Sequence, residues 1–587
     1  MENGVPFTDN ENKRNPYSLQ IPTKETPPSP APVRRTRTGL LLCLPLLPVL
    51  LVTVAIPLGL MLYYSFTDFN MLELPGFVGL ENYRALFHDD NFWIMLGNTL
   101  RLIPLSAMIL AAACLLAGAA SRLRQGWGIA LGLLLGAVSL TMLAPTGLLI
   151  LFGGDSYNLF NSYLLSNGLA DNAVNWLTSS RLLYYLQLSG ICLAPAYWIF
   201  YLGCRGRQRP SSKTLRLAAT LIPLLLLCCT PFTQGVYGYP SPFYAFDTLL
   251  SYIYDYHFIR FSIGMSGAAC VVFLFLLLLW LGLFHLIVWG ITRLLQAAAP
   301  RLSLPLPLHG AGTAVGFLLG LVALAPFFVS LATSFKPMEE LFRFPASLLP
   351  QAPNMQAYRD LYILLDTYQY AVYSLSVGPL PLLLGLVYYF IFVLPAAFGL
   401  TAFRSRGLKR TVGTVGAVWC LLTPLSSLWM YLLLVRTRLL PGIHGYNILG
   451  IFTAALTNYI TGPTLPVVLL LSVWVIKTGA ANASGSDSFW KNNTRIFRTL
   501  SSLAGVGILS SLALYFQSNF MYIGIHMKSF LDILQSIGLD AAVARAGIAS
   551  ALHVLSVVLG LVIWLSGMVL LLLVSRKPKG KMTSNPE

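Results

Sequence analysis
Uninterrupted apolar runs constrain this chain more than any motif in it. About twelve can be counted, most of them long enough to cross a bilayer as a helix. Inside hydrocarbon every backbone N–H and C=O needs a partner within the protein. That leaves helices or closed barrels, and a barrel would show short alternating segments instead. The sequence has 587 residues, 56% of them hydrophobic and only 10% charged. Its mean hydropathy is +0.70. A water-soluble protein of this size carries a far more charged surface. The expected fold is an all-α polytopic membrane protein with about twelve transmembrane helices.

Charge orients the runs. A net charge of +17 would suit nucleic acid, but many basic residues fall in short loops between apolar runs, where they set topology. Nucleic acid is therefore not an expected partner, whereas the lipid bilayer is. Arg122 and Arg124, the loop CRGRQRPSSKTLR at 204–216, TAFRSRGLKR at 401–410 and the segment 478–500 are all placed inside. The first segment placed outside carries Asp68, Glu73, Glu81, Asp89 and Asp90. Arg436 and Arg438, in a short loop placed outside, run against the pattern. The expected location is the cell inner (plasma) membrane, crossed many times, with both termini cytoplasmic. Residues 1–38 are polar, Pro-rich and basic, with no apolar segment before them. They read as a disordered cytoplasmic tail and not as a cleavable signal.

Two stretches share a layout. Gly79 to Leu100, GLENYRALFHDDNFWIMLGNTL, separates the first two runs and ends with Asn98-Thr99-Leu100 at the mouth of the second. FKPMEELFRFPASLLPQAPNMQAYRDL follows the seventh run in a related way. The chain reads as two six-helix bundles, 39–290 and 311–574, joined by a Pro-containing cytoplasmic linker, 291–310, and followed by a cytoplasmic tail, 575–587. An even number of helices per half makes the halves parallel repeats about an axis along the membrane normal. In the first half helices are expected near 40–64, 93–119, 127–151, 182–203, 217–232 and 262–289. In the second they fall near 311–333, 370–399, 411–435, 447–477, 501–517 and 544–574.

Little in the spans suggests catalysis. Seven cysteines lie in apolar runs and Cys204 begins a basic loop, so small packing residues are the better reading than a metal or disulfide framework. The histidines are scattered without metal-ligand spacing. Arg101 can snorkel toward the interface, and His285 and His553 read as hydrogen-bonded interior side chains. No cluster of Asp or Glu sits at mid-span to couple transport to protons or sodium. The chain carries no GxxxxGK[ST] phosphate loop. A non-enzyme without cofactor or metal is expected. The aromatic-rich stretch from Tyr237 to Tyr256 suits either a membrane-interface belt or rings that stack on sugars.

Several segments carry a resemblance. VGLENYRALFHDDNFWIMLGNTL (78–100), SYNLFNSYLLSNGLADNAVNWL (156–177), the aromatic stretch 230–269, and SFKPMEELFRFPASLLPQAPNMQAYRDL (334–361) resemble parts of the two membrane subunits of maltose-type, binding-protein-dependent sugar importers of the ATP-binding cassette class. The chain looks like that permease pair fused into one polypeptide. The resemblance implies two ATP-binding cassette ATPase subunits, an extracytoplasmic solute-binding protein, and a small-molecule solute, a sugar or oligosaccharide.

The family's cytoplasmic coupling loop carries an EAA triplet, then a DG pair, then an aromatic. Here the second half offers Gly479, Ala480, Ala481 and Gly485, followed by Phe489 and Trp490. Gly479 stands where the family has Glu, and Ser484 where it has Asp. In the first half the equivalent loop is represented by Arg205, Arg207, Lys213 and Arg216, and the triplet and its glycine are missing. The resemblance assigns both loops to ATPase coupling. Loss of the acidic residues motivates an alternative, a degenerate homologue acting as a membrane scaffold or regulator. A secondary transporter of two parallel halves is a third reading, weakened by the absent coupling cluster.

Overall fold
The computed structural model describes residues 39–123, 125–143, 146–179, 181–204, 212–237, 241–298, 307–367, 386–402, 464–481, 503–506 and 546–572, with Trp419, Leu425 and Trp429. Among these residues no strand forms; Thr67 and Phe77 make one isolated antiparallel bridge. In chain order the helices open with α1 (Leu46–Leu50), which passes through a π turn, Leu51–Ala55, into α2 (Ile56–Ser65). The first half continues with α3 (Glu81–His88), α4 (Asp90–Ala120), α5 (Gln125–Leu143), α6 (Thr146–Phe152), α7 (Leu159–Ser166), α8 (Trp176–Ser179), α9 (Arg181–Cys204), α10 (Ser212–Tyr237), α11 (Leu249–Tyr254) and α12 (Ile263–Ala298). The second half contributes α13 (Pro307–Ala323), α14 (Ala325–Thr333), α15 (Met338–Leu341), α16 (Gln356–Thr367), α17 (Leu394–Ala402), α18 (Thr464–Ala481) and α19 (Ala546–Leu572).

Six stretches among the described residues are long and apolar enough to cross a membrane: Asp90–Ala120, Gly126–Leu143, Arg181–Cys204, Ile263–Ile287, Gly310–Thr333 and Ala546–Leu570. Shorter apolar helices occur at Ile56–Ser65, Thr214–Leu227 and Leu386–Thr401. The architecture is all-α and multi-pass. The expected helices near 370–399, 411–435, 447–477 and 501–517 fall mostly outside the described residues, so the count of twelve extends beyond what is described.

Local chemistry explains several boundaries. Asp89 accepts a hydrogen bond from the Asn91 N–H (2.9 Å) as the N-cap of α4. Asp90 then sits in the first turn, where the helix dipole favours an acid. α14 opens with Pro326, whose missing N–H costs nothing at a helix start. α12 runs on past the expected end at residue 289 as far as Ala298, and α13 starts at Pro307. α10 is also longer than expected, starting at Ser212. In the run expected at 127–151 the described residues form α5 and α6, and residues 144–145 lie outside the described residues. Cys204, expected to begin a loop, is buried as the last residue of α9.

The two halves exchange their first helices. Leu46 and Val49 of α1 are buried among Tyr388, Tyr389, Val393, Val468 and Ile476 of the second half. In return α13 lies against α4 and α5, and α14 lies against α6 and α19. α19 also packs on α5, α6 and α16, so Ala546–Leu572 lies against helices from early in the sequence. Trp429 reaches the first half as well, with its ring nearly parallel to that of Tyr64 at 6.2 Å.

Glycines at four-residue spacing make this seam tight. Lipid tails are as apolar as leucine, so helices in a membrane associate through close van der Waals contact, and small residues permit it. On α5, a Cβ at Gly128 or Gly132 would overlap the Tyr201 or Trp198 ring of α9, and one at Gly136 would lie 2.5 Å from the Trp564 ring of α19. The rings also bond the backbone they cover: Tyr197 Oη donates to Gly128 O (2.7 Å) and Trp198 Nε1 to Gly132 O (3.2 Å). On α13, Gly316 and Gly320 receive Leu116 and Leu134 of the first half, with added Cβ atoms falling at 2.8 and 2.7 Å. Gly147 of α6 has no room for a Cβ against the Pro326 carbonyl.

Overpacking at such contacts costs about 1–3 kcal/mol. Gly132→Ala and Gly136→Ala are each expected to lower the melting temperature in detergent. Trp564→Leu in the Gly136→Ala background should recover part of the loss. Gly118→Ala, whose Cβ would meet nothing within 4 Å, should leave stability unchanged. Equal effects at Gly118 and Gly136 would rule out the ring contact as the cause.

Candidate functional site
The loops that follow α2, α6, α11 and α14 gather at one end of the bundle, the end that charge assigns to the outside. The segment Gly79–Leu100 acts there as a clamp. Asn82 Nδ2 donates to Ser65 O (3.0 Å) and Thr67 O (2.8 Å) at the end of α2, and Tyr83 Oη donates to Ser65 Oγ (2.9 Å). Asn98 Nδ2 donates to the carbonyls of Tyr244 (2.7 Å) and Asp247 (2.9 Å), and the Leu249 N–H donates to Thr99 Oγ1 (2.8 Å). Arg101 donates to Asn98 Oδ1 (2.7 Å), which gives it a structural partner.

The aromatic stretch closes on the same segment. Tyr252 and Tyr256 both donate to Asp89 Oδ2, at 2.8 and 3.1 Å. Burial, reinforced by the neighbouring phenol and the Asp89 carboxylate, pushes the Tyr252 hydroxyl well above its usual range. Arg260 lies over the Tyr256 ring at 4.6 Å and donates to Asp255 Oδ2 (2.6 Å). Asp247 is fully buried and accepts from the Ser241 N–H (2.9 Å) and hydroxyl (2.7 Å); burial raises its carboxyl above the ordinary value. Tyr252 and Tyr254 are thus buried, whereas Phe243 is 94% exposed. Among its described residues the stretch is chiefly a buried hydrogen-bonded structure, with an open aromatic face at Phe243.

The second half builds its own corner around Glu340. This carboxylate accepts from Ser347 Oγ (2.7 Å) and from the Gln351 N–H at 3.0 Å. Burial alone would raise it. The hydrogen bonds from Ser347, Gln351 and Ala352, with Lys336 nearby, hold it below the usual carboxylate range. Burial pushes the Lys336 amine down, opposed by Glu340, and the amine donates to Ser347 O.

The Glu340 corner meets the segment that follows α6. The Ala346 N–H donates to Ser162 Oγ (2.7 Å), and the rings of Tyr157 and Phe342 stand edge to face at 6.2 Å. Beneath this contact lies a cavity of ≈ 200 Å³, lined by Asp155, Tyr157 and Asn158 from the first half and Thr333, Lys336 and Glu340 from the second. Sequence reading singled out the segment that holds Lys336 and Glu340 but not the cavity. Deeper in the seam, His553 Nδ1 pairs with Ser330 Oγ (2.8 Å), and Gln187 Nε2 donates to Met142 O (3.0 Å). His285 bonds Leu281 O (2.9 Å) and Thr220 Oγ1 (3.2 Å). Both histidines are hydrogen-bonded side chains, as their positions in apolar runs implied.

The residues assigned to ATPase coupling are not brought together among the described residues. Gly479, Ala480 and Ala481 lie at the end of α18 as described. Gly485, Phe489 and Trp490 lie outside the described residues, as do Arg205 and Arg207. Lys213 and Arg216, expected in the loop, belong to the first turns of α10, and Arg216 is exposed. Among the described residues no group of three His, Cys, Asp or Glu side chains gathers to hold a metal.

A 44-residue segment is 46% identical to the probable starch degradation products transport system permease protein AmyD of Thermoanaerobacterium thermosulfurigenes. The match covers 8% of this chain and 15% of that protein. No family model matches, and no solved structure does.

The Glu340 corner has measurable consequences. Glu340→Ala orphans the Ser347 hydroxyl and two backbone N–H groups, each buried donor costing about 1–3 kcal/mol, and is expected to lower the melting temperature. Because the folded carboxyl lies below its unfolded value of about 4.3, its stabilisation is complete above that pH and is lost as pH falls through the folded value. Melting curves between pH 7 and pH 3 should steepen less in Glu340→Gln than in the unaltered protein.

Proposed function
We propose that this chain is the transmembrane permease component of an ATP-driven, binding-protein-dependent importer, carrying both membrane halves in one polypeptide. The observation that carries the reading is the segment shared with a permease protein for starch degradation products. The reciprocal exchange of α1 and α13–α14 supports it, because it makes the two halves a single body with one seam. The solute on this reading is a sugar or oligosaccharide. It would be delivered by an extracytoplasmic binding protein to the loop-rich end and would pass along the seam. Two ATPase subunits would dock at the opposite end, on the segment around Gly479–Trp490 and on the start of α10 with its upstream loop. Orientation follows the charge pattern, with the loop-rich end outside.

A second reading, a scaffold or regulator without ATPase coupling, is favoured by Gly479 and Ser484 standing where the family has acids. An acid at the front of a short helix would be held by its dipole and could pair with a basic group of a partner. That charge is missing here.

Gentle purification from the native host separates the two. The importer reading expects a stoichiometric ATPase subunit, with Ala480→Arg or Ala481→Arg weakening its retention at least tenfold (about 1.4 kcal/mol). The chain arriving alone under several mild conditions would sink it and favour the scaffold.

A further inference from the structure
The cavity under the Ser162–Ala346 contact is a built site that nothing above assigns. Three of its lining groups are nine-tenths buried or more: Thr333 is 2% exposed, Lys336 7% and Glu340 7%. The Thr333 hydroxyl finds no hydrogen-bond partner among the described residues, although it lines the cavity. A buried hydroxyl of this kind normally has a partner. The Lys336 ammonium carries three N–H donors, one of which goes to Ser347 O. Asp155 and Asn158 add acceptors and an amide from the opposite wall, and Tyr157 lines the cavity beside them.

Charge limits the occupant. Lys336 and Glu340 compensate one another, and Glu340 is already saturated by Ser347, Gln351 and Ala352. Asp155 is exposed and remains beside them. An anion would meet two carboxylates, and a cation would meet the Lys336 head. A neutral molecule with several hydroxyls can both accept from Lys336 and Thr333 and donate to Asp155, while its C–H face rests on Tyr157. The volume of ≈ 200 Å³ has room for a single small ring.

We infer that this cavity is a binding site for one neutral, polyhydroxylated ring, held between Asp155 and Tyr157 of the first half and Thr333 and Lys336 of the second. The walls come from both halves, so the occupant bridges them and favours the arrangement in which Ser162 meets Ala346. The inference rests on the importer reading only in treating the occupant as a solute.

Binding is tested on the full chain in lipid nanodiscs without any ATPase, by saturation-transfer NMR with methyl α-D-glucopyranoside. Tetramethylammonium and acetate, both proton-bearing, serve as the cation and anion probes. A clear transfer signal is expected for the glucoside and none of comparable size for tetramethylammonium or acetate. Thr333→Val keeps the side-chain shape and removes the hydroxyl, and it should cut the glucoside signal at least threefold. Lys336→Met and Asp155→Asn should do the same. Thr333→Val and Asp155→Asn preserve size, so the test stands if Lys336→Met does not fold. No glucoside signal, a signal unchanged in all three variants, or a stronger signal for tetramethylammonium or acetate would each overturn the inference. Variant-sensitive binding in a chain that recruits no ATPase would uphold the site while removing the importer reading, so the two fail separately.

Discussion
Close approach between glycine stripes and large side chains is the contact on which the rest of this structure depends. In a bilayer the hydrophobic effect does not drive helices together, because lipid solvates apolar side chains as well as protein does. What remains is dispersion between well-fitted surfaces, and it fades within fractions of an ångström. On α5, Gly128, Gly132 and Gly136 present bare backbone along one face. Tyr201 and Trp198 of the first half, and Trp564 of the second, fill it. One stripe therefore joins the helices of its own bundle and also seats the last helix of the other. α13 answers with Gly316 and Gly320 against Leu116 and Leu134.

That exchange determines where chemistry can occur. Once α14 and α19 are fixed against α6, the loops that follow α6 and α14 lie opposite one another. Asp155 and Lys336, far apart in sequence, then line one cavity. The hydrogen-bonded pair Ser330 and His553 falls on the same helices, α14 and α19. The Glu340 and Asp89 corners are rigid by comparison. Each carboxylate collects several donors, so each fixes the loop around it and holds the mouth of the seam in shape.

Much of the fold was legible in the sequence, and for a local reason. The length of an apolar run, its flanking prolines and its N-capping acid act on the segment that contains them. The helices at Asp90–Ala120, Arg181–Cys204, Ile263–Ala298 and Ala546–Leu572 therefore fall close to their expected places. Boundaries failed where polar residues still helped to make a helix. Ser212, Lys213 and Arg216 read as loop but start α10, and Gly479-Ala480-Ala481 are helical at the described end of α18. The cavity is not legible in the sequence because its walls come from two halves. The glycine stripes are visible there as G-xxx-G spacing. That spacing is a packing signal in an apolar run, and it could have marked α5 and α13 as the helices at the seam.

The sequence by itself determined that this chain is helical, that it crosses a membrane many times, and where most of its spans lie. Hydrocarbon leaves the backbone no other way to satisfy its polar groups. Only the tertiary structure decided which spans touch. The partner of Gly136 is a tryptophan near the far end of the chain, and the partner of Asp89 is a pair of tyrosines across a bundle. Nothing local distinguishes those rings from others in the same apolar or aromatic surroundings. Their roles are fixed by shape and hydrogen-bond geometry, which exist only once the two halves have exchanged their first helices.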